Sequence, residues 1–185
     1  ASCCPAKFPR TGVFRKQLFT LAILSPMIDY FPLVKGAVRE YATQNSQGAG
    51  SYRFEVLEVS TKGAVTTAKC RRTVKVPSEP ETVSEVVVTK DDTGVHEGTD
   101  VEFKTPLKVG TEWASPPRRN WIEALDAAIE TPAGKFKDCL KVAYLIAEGD
   151  GGSGERHYAP GVGLVKAVDN DEGEPFTYQL VRIQG

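Results

Sequence analysis

The sequence has no long apolar run, and this absence excludes a membrane-spanning helix. Its most apolar stretch, Leu18 to Leu24 with Thr20 inside it, is about seven residues long, whereas a bilayer needs roughly 20. The sequence also lacks an excess of either charge, because 23 basic and 24 acidic residues leave a net charge of −1. A nucleic acid is therefore not predicted as a partner.

Residues typical of catalysis and metal binding are also scarce. The chain has two histidines, His96 and His157, and the sequence shows no nucleophile motif beside either. It has no G-x-S-x-G motif, and "ETPAGKF" lacks the ending of a phosphate-binding loop. Its four cysteines form no CxxC pair and no Cys/His cluster. The sequence therefore predicts a protein that is not an enzyme and that binds no metal or cofactor.

The cysteines leave two interpretations open. Cys70 and Cys139 each lie in a strand-like run, "TTAKCRRTVKV" and "FKDCLKVAYLIA". They are either a disulfide across a sheet or two buried free thiols. Cys3 and Cys4 are adjacent, and a bond between them would be strained.

What the sequence does contain, from Val38 onward, is β-strand patterning. "SYRFEVLEVSTKGAVTTAKCRRTVKV" alternates apolar and polar residues around a Lys62-Gly63 turn, which predicts a hairpin. Further strands follow, separated by the turns 91–94, 149–154 and 169–174. The pattern predicts a single, mostly β domain with a curved antiparallel sheet, either a half-barrel or a sandwich.

One segment is ambiguous between helix and strand. "NWIEALDAAIETPAGKF" is rich in alanine, which favours a helix. Its residues also alternate, and the tight turn at residues 131–134 leads into the next apolar run. We predict a strand.

Two stretches of the chain resemble each other. "FPLVKGAVREY" and "TPLKVGTEW" both contain Pro-Leu, two residues and then Gly, followed by an aromatic residue. The simplest interpretation is that two strands begin with the same turn chemistry.

The segments "DYFPLVKG", "PLKVGTEW", "TPAGKFKDCLKV" and "HYAPGVGLVK" together resemble an uncharacterised family of bacterial surface lipoproteins. The resemblance spans about residues 29 to 183, in order. It implies a strongly curved antiparallel sheet, similar in outline to the LolA/LolB lipoprotein carriers, and no established enzymatic activity. Arg39 stands where the family has a Trp, and a long N-terminal segment replaces the short leader, so a lipid anchor does not follow from the resemblance.

The analogy with those carriers also suggests residues for a binding site. Trp113, Trp121 and Tyr158 are expected to pack on the concave side of the sheet, where they could line a site for an apolar ligand.

The apolar N-terminal stretch "FRKQLFTLAILSP" has the layout of a secretory signal but lacks a small-x-small cleavage site. As a strand it would be apolar on both faces, which suits burial on both sides. It either docks on its own domain or adds as a strand to a neighbouring subunit. The proposed assembly residues are Phe14, Leu18, Phe19, Leu21, Ile23 and Leu24.

Residues 1–29 are therefore predicted as an N-terminal extension, and residues 30–185 as the antiparallel β domain. The expected function is that of a non-catalytic protein at the cell surface, in the periplasm or outside the cell. It would act as an assembly subunit whose partner is its own second copy. The alternative is a monomeric module that holds an apolar ligand on the concave face.

Overall fold

The computed structural model describes residues 28–77, 79–146, 151–171 and 174–185. Within those ranges the chain forms strands and no helix. The described residues therefore contain no helix that is long and apolar enough to cross a membrane. The strands are β1 (Val38–Asn45), β2 (Gly48–Lys62), β3 (Val65–Lys75), β4 (Thr82–Lys90), β5 (Gly94–Glu97), β6 (Asp100–Lys104), β7 (Glu112–Ser115), β8 (Arg118–Thr131), β9 (Gly134–Ile146), β10 (Gly152–Ala159), β11 (Gly163–Asp171) and β12 (Glu174–Gln184).

All of these strands belong to one antiparallel sheet of twelve strands in the order β6-β5-β4-β3-β2-β1-β12-β11-β10-β9-β8-β7. Strands β1 to β6 form one meander and β7 to β12 a second. The two meanders join where β1 pairs with β12, from Val38 opposite Gln184 to Gln44 opposite Thr177. The sheet curls into a nearly closed barrel shape. The predicted fold class is confirmed, and of its two variants the sandwich is excluded because there is a single sheet.

The seam of this barrel lies between its two edge strands, β6 and β7, which share no backbone ladder. Side chains connect them instead. Trp113 Nε1 donates a hydrogen bond to the Val101 carbonyl oxygen at 3.1 Å, and Ser115 Oγ donates to Asp100 Oδ1 at 3.3 Å. Both edge strands are short, which limits the backbone that other chains could pair with.

The two similar sequence stretches form the same turn at the start of each meander. Gly36 N donates to the Val56 carbonyl oxygen and Gly110 N donates to the Ile122 carbonyl oxygen, both at 2.8 Å. The two glycines have φ values of +84° and +87°, a left-handed conformation that glycine adopts at little cost. The interpretation that both strands begin with the same turn chemistry is confirmed.

The ambiguous segment is a strand, as predicted. It forms β8, which pairs with β9 along its whole length. The ladder is interrupted by irregularities between Ile122 and Ala124, between Ala124 and Ala127, and between Ala127 and Ile129. Tertiary pairing therefore overrides the helix propensity of the alanines.

Apolar side chains fill the interior of the barrel. Val56, Ile122, Leu140 and Leu180 have no exposed surface and come from four different strands. Burying one such side chain contributes roughly 1.5–3 kcal/mol.

The outer face carries a row of ion pairs. It crosses five neighbouring strands from β12 to β4, with N···O distances of 2.7 to 3.9 Å. Each exposed pair contributes little to stability, on the order of 0–1 kcal/mol, but together they keep this face polar. The row consists of Arg182, Glu40, Arg53, Glu55, Arg71, Glu85 and Lys69.

The predicted boundary between residues 29 and 30 stays a prediction, because residues 1–27 lie outside the described part of the chain. The first residues of the predicted domain do belong to the core. Tyr30 is 4% exposed and Phe31 is 7% exposed.

Candidate functional site

Residues 29–33, here called the strap, run across one end of the barrel. The Asp29 carbonyl oxygen accepts a hydrogen bond from Gly161 N, in the β10–β11 turn, at 2.7 Å. The Asp29 carboxylate accepts a bond from Phe31 N at 2.9 Å and lies 2.6 Å from Lys90 Nζ, at the end of β4. Tyr30 OH donates to the Asp138 carbonyl oxygen on β9 at 3.0 Å.

The strap inserts Phe31 into the barrel. The Phe31 ring packs against Phe54 at a centroid distance of 6.3 Å and against Tyr158 at 6.2 Å. Because Phe31 is almost fully buried, the strap covers the interior at this end of the barrel.

Arg39, on β1, fastens the strap to the β10–β11 turn. Its Nε donates to the Val162 carbonyl oxygen at 2.5 Å, and its Nη2 donates to the Pro32 carbonyl oxygen at 2.7 Å. A Cβ at Gly163 would lie 3.1 Å from Arg39 Nε, so the glycine makes room for the guanidinium group. Two of the segments that carry the family resemblance, "YFPL" and "APGVG", therefore meet at the residue where this chain departs from the family pattern.

A cavity of about 210 Å³ lies within the barrel, on the inner side of the strap. Phe31 and Phe54 form part of its wall. The rest of the wall is unusually polar for a barrel interior and includes six charged side chains, namely Arg39, Arg72, Glu97, Glu102, Arg156 and Asp169.

All three carboxylates on the cavity wall have cationic partners. Glu97 forms an ion pair with Arg72. Glu102 Oε2 accepts a hydrogen bond from Tyr158 OH at 2.5 Å and lies 3.5 Å from Arg156 Nη1. Such pairing is what makes burial of a carboxylate tolerable.

Asp169, the third carboxylate, extends this network. Its Oδ1 accepts a bond from Tyr144 OH at 2.8 Å and lies 4.0 Å from Arg156 Nη2. Burial opposes the charged form of Arg156, but the neighbouring Glu102, Tyr158 and Asp169 outweigh it and hold its pKa above the ordinary value. Arg156 therefore links two acids on the cavity wall.

Three tyrosines form a second part of the wall. The ring of Tyr52 lies 5.3 Å from that of Tyr41 and 5.6 Å from that of Tyr178, between centroids. Burial raises the pKa of all three phenols. They therefore stay protonated at physiological pH. The Tyr41 hydroxyl donates to the Leu164 carbonyl oxygen at 2.9 Å.

The aromatic residues named from the sequence lie elsewhere. Trp113 is 4% exposed at the seam, and Trp121 lines a separate groove of about 330 Å³ together with Ala143 and Leu145. Tyr158 is fully buried behind the cavity wall, where its ring packs against Phe31 and its hydroxyl donates to Glu102. That these three residues contact a ligand stays a prediction, and the cavity wall is made of other residues.

The disulfide that the sequence allowed is not formed, and the alternative of two free thiols holds. Cys70 and Cys139 are free and buried. They lie on β3 and β9, which are not neighbours in the sheet. Burial raises the pKa of the Cys70 thiol to about 11 and also raises that of Cys139.

The assembly segment lies outside the described residues. This applies to Phe14, Leu18, Phe19, Leu21, Ile23 and Leu24. Its docking, on its own domain or on a neighbour, therefore stays a prediction.

The structure places a hydroxyl group beside one histidine, which the sequence did not indicate. His96 Nε2 lies 3.0 Å from Thr93 Oγ1, but Thr93 donates its proton to Asp91 Oδ1 at 2.6 Å. Asp91 also accepts bonds from the backbone N–H groups of Thr93 and Gly94, so this cluster stabilises the β4–β5 turn. In the described ranges, no group of three or more His, Cys, Asp or Glu residues is placed to hold a metal ion.

The sequence did contain a signal for the charged wall. Each cavity arginine lies two positions from an inward-facing residue of the same strand: Arg39 precedes Tyr41, Arg72 follows Cys70, and Arg156 precedes Tyr158. Because side chains of a strand alternate, an arginine at that spacing points inward. The alternation therefore marked these arginines as candidates.

The fold is shared with two solved bacterial proteins. One, from Bacteroides fragilis NCTC 9343, is described as a candidate exported protein with a YmcC-like fold. Its superposition has a TM-score of 0.64 at 15% sequence identity and covers 85% of this chain and 100% of that chain. The other, from Parabacteroides distasonis ATCC 8503, is described as a candidate lipoprotein. Its superposition has a TM-score of 0.60 at 16% sequence identity and covers 85% of this chain and 99% of that chain. No protein-family model and no curated protein matches the chain. These similarities show the fold, whereas the specific likeness to LolA/LolB stays a prediction.

Proposed function

We propose that this chain is an exported, non-catalytic protein that binds a small polar molecule inside its barrel-shaped sheet. The observation that carries the proposal is the cavity of about 210 Å³ with six charged side chains on its wall. A polar wall favours a ligand with hydrogen-bonding groups over the apolar ligand that was expected from the sequence. An apolar ligand would displace water from the charged side chains of the wall and offer them no hydrogen bonds in return.

Export is supported by the two structural neighbours, which are described as a candidate exported protein and a candidate lipoprotein. A location at the cell surface, in the periplasm or outside the cell fits both descriptions.

The lack of catalysis is supported by the chemistry of the wall. Its carboxylates are held by arginines and tyrosines, and its tyrosines stay protonated. Neither group is an activated base or nucleophile.

The cavity can be tested by filling it. Ala167 lies on the cavity wall and Ala42 is exposed on β1, so Ala167→Phe blocks the cavity while Ala42→Phe is a matched control. We expect at least one of four probes, acetate, phosphate, glycine and glucose, to shift the NMR signals of cavity residues saturably in the wild type and in Ala42→Phe. The same probe should cause no such shift in Ala167→Phe. Equal responses from both variants would contradict binding inside the barrel.

The assembly function remains a second proposal, favoured by the open seam. The edge strands β6 and β7 share no backbone ladder, and such edges can accept an added strand. The strap also begins at Asp29, three positions after the Pro26 that ends the apolar segment containing Leu18 and Leu21.

For this second proposal we predict that Leu21→Asp reduces oligomer size or thermal stability, because a charge would enter a buried strand without a partner. Leu145→Asp, the same substitution at a leucine that is 50% exposed on β9, is the control. Analytical ultracentrifugation and thermal melting measure both effects. A variant with wild-type mass and melting temperature would argue against the proposal.

A further inference from the structure

Arg39 is a buried cation without a carboxylate partner. Its side chain is buried, since Arg39 is 4% exposed. Within the described ranges it forms no ion pair with an acidic residue. Its Nε and Nη2 donate to backbone carbonyl oxygens, which hold the guanidinium group in place but do not neutralise its charge. Buried charges in proteins are normally paired with an opposite charge or used to bind one.

Arg72 supplies a second unsatisfied group on the same wall. Its Nε is buried and has no hydrogen-bond partner in the described structure, although its Nη2 pairs with Glu97. A buried guanidinium N–H without an acceptor costs free energy unless a water molecule or a ligand accepts the bond.

The sheet register brings the two arginines into one row. Arg39 on β1 lies opposite Phe54 on β2, and Phe54 lies opposite Arg72 on β3. Residues opposite each other share a face of the sheet, with Cβ atoms roughly 5 Å apart. The Arg39 Cζ atom lies 6.0 Å from the centroid of the Phe54 ring, and all three residues line the cavity.

From this row we infer that the ligand carries an anionic group, a carboxylate or a phosphate, which is received by Arg39 and Arg72 above the Phe54 ring. The inference rests on the proposed binding function and names the chemical class of its ligand. Arg39 Nε and Nη2 and Arg72 Nη2 already have acceptors, so Arg39 Nη1 and Arg72 Nε are the N–H groups that would each donate a charge-assisted hydrogen bond to this anion.

The remainder of the cavity defines the rest of the ligand. Glu102 and Asp169, on the β6 and β11 parts of the wall, accept hydrogen bonds, so the part of the ligand that faces them carries hydroxyl or amino donors. A volume of about 210 Å³ lies below the roughly 300–1,000 Å³ of sites for drug-sized ligands. The ligand is therefore a small hydroxylated or amino-bearing carboxylate or phosphate.

The arginine side chains provide a direct readout. Their Nε–Hε groups give signals in ¹H–¹⁵N NMR spectra, and the full chain would be titrated with sodium acetate, sodium phosphate and glucose at ionic strength matched with sodium chloride. We expect acetate or phosphate, but not glucose, to shift the Arg39 and Arg72 signals saturably. Whichever of the two anions binds at the lower concentration identifies the anionic group.

Variants then test the role of each arginine. Arg39→Gln is expected to weaken anion binding at least about tenfold, since a hydrogen bond to a charged group contributes on the order of 1.5–3 kcal/mol. The double variant Arg72→Gln/Glu97→Gln leaves no carboxylate unpaired and does not touch the strap, so it remains informative if Arg39→Gln does not fold. Arg53→Gln, on the outer face, is the matched control and should bind like the wild type.

The outcomes separate this inference from the proposed function. Saturable binding of glucose with no response to the anions would overturn the anionic ligand and leave binding inside the barrel intact. Equal weakening in Arg53→Gln would also overturn it, because the anions would then act through general surface charge. A cavity that responds neither to these three probes nor to glycine would overturn both proposals.

Discussion

At the scale of single residues, the end of the barrel that the strap covers depends on Arg39, around which two backbone segments lie close together. The guanidinium group bonds to the carbonyl oxygens of Pro32 and Val162, which are far apart in the chain. Space for it exists because the neighbouring turn residue, Gly163, has no Cβ. A tryptophan at position 39 could not form both bonds, since its indole has a single N–H donor.

We predict that Gly163→Ala destabilises the protein more than Gly161→Ala. Both glycines have positive φ, +99° at Gly163 and +68° at Gly161, so both substitutions strain the backbone by on the order of 1–3 kcal/mol. Only at Gly163 does the new Cβ also meet Arg39, whereas the space beside Gly161 is open. Urea unfolding of both variants measures the difference, and equal losses would show that the contact with Arg39 is unimportant.

The second prediction at this scale concerns His157, which is 3% exposed and whose Nδ1 has no partner in the described structure. Burial lowers its pKa, although Glu155 acts in the opposite direction. Between the lowered native pKa and the ordinary value of about 6.5, the unfolded state binds more protons than the native state. Stability should therefore be complete above about pH 6.5 and fall as the pH drops below it.

Urea midpoints measured from about pH 7.5 to about pH 5 test this sign, because the window contains the ordinary histidine pKa. His157→Gln should reduce the acid-induced loss of stability. In the control His96→Gln, His157 is intact and the loss should remain. A steeper loss in His157→Gln would contradict the expected direction.

At the scale of elements, β8 and β9 show how pairing shapes a strand that could have been a helix. Their ladder contains several irregularities, and Asp138 on β9 has a φ of +53°, which is uncommon for a residue other than glycine. The Asp138 carbonyl oxygen accepts the bond from Tyr30 OH. The strap therefore contacts the sheet at its most irregular pair of strands.

The seam between β6 and β7 leads to a prediction for these elements. Trp113→Phe keeps an aromatic ring but removes the bond from Nε1 to Val101, at a cost of about 1 kcal/mol. We expect faster hydrogen exchange in Asp100–Lys104, because no backbone ladder replaces the lost bond at this edge.

Trp121→Phe is the control for this experiment, since Trp121 lies opposite Glu112 on β7 but its side chain lines the separate groove with Ala143 and Leu145. Exchange in β6 that is unchanged by Trp113→Phe would show that the side-chain bond does not hold the seam together.

At the scale of the whole molecule, charge is distributed in two different ways. The outer face carries exposed ion pairs between neighbouring strands, such as Lys69 with Glu85. The interior carries pairs on the cavity wall, and one of them joins strands that are far apart in the sheet order, Glu102 on β6 with Arg156 on β10. That pair depends on the sheet having curled, whereas Arg156 and Asp169 lie on the neighbouring strands β10 and β11.

The buried thiols report on the integrity of the whole barrel. In a Cys3→Ser/Cys4→Ser background, Cys70 and Cys139 should not react with a thiol reagent until the protein unfolds, since both are buried and burial raises the pKa of each. The rate of modification in urea should follow global unfolding, and a reducing agent should leave the melting temperature unchanged. Rapid reaction of either thiol without urea would contradict the buried positions.

The strands, most of the turns and the repeated Pro-Leu-x-x-Gly start of both meanders could be predicted from the sequence. These features depend on the two-residue period of a strand and on the backbone freedom of Gly36 and Gly110, which are local properties. The sequence also predicts that Arg72 shares a face with Cys70, because the two are separated by two positions.

What those inward arginines contact depends on the tertiary structure. The closure of β1 on β12 joins residues 142 positions apart, such as Glu40 and Arg182, and no local pattern encodes that distance. Curling of the sheet then places Glu102 beside Arg156 and leaves Arg39 with backbone carbonyls alone. The interior cavity, the free state of the thiols and the separate positions of Trp113 and Trp121 follow from the same cause, since each depends on which distant strands face one another.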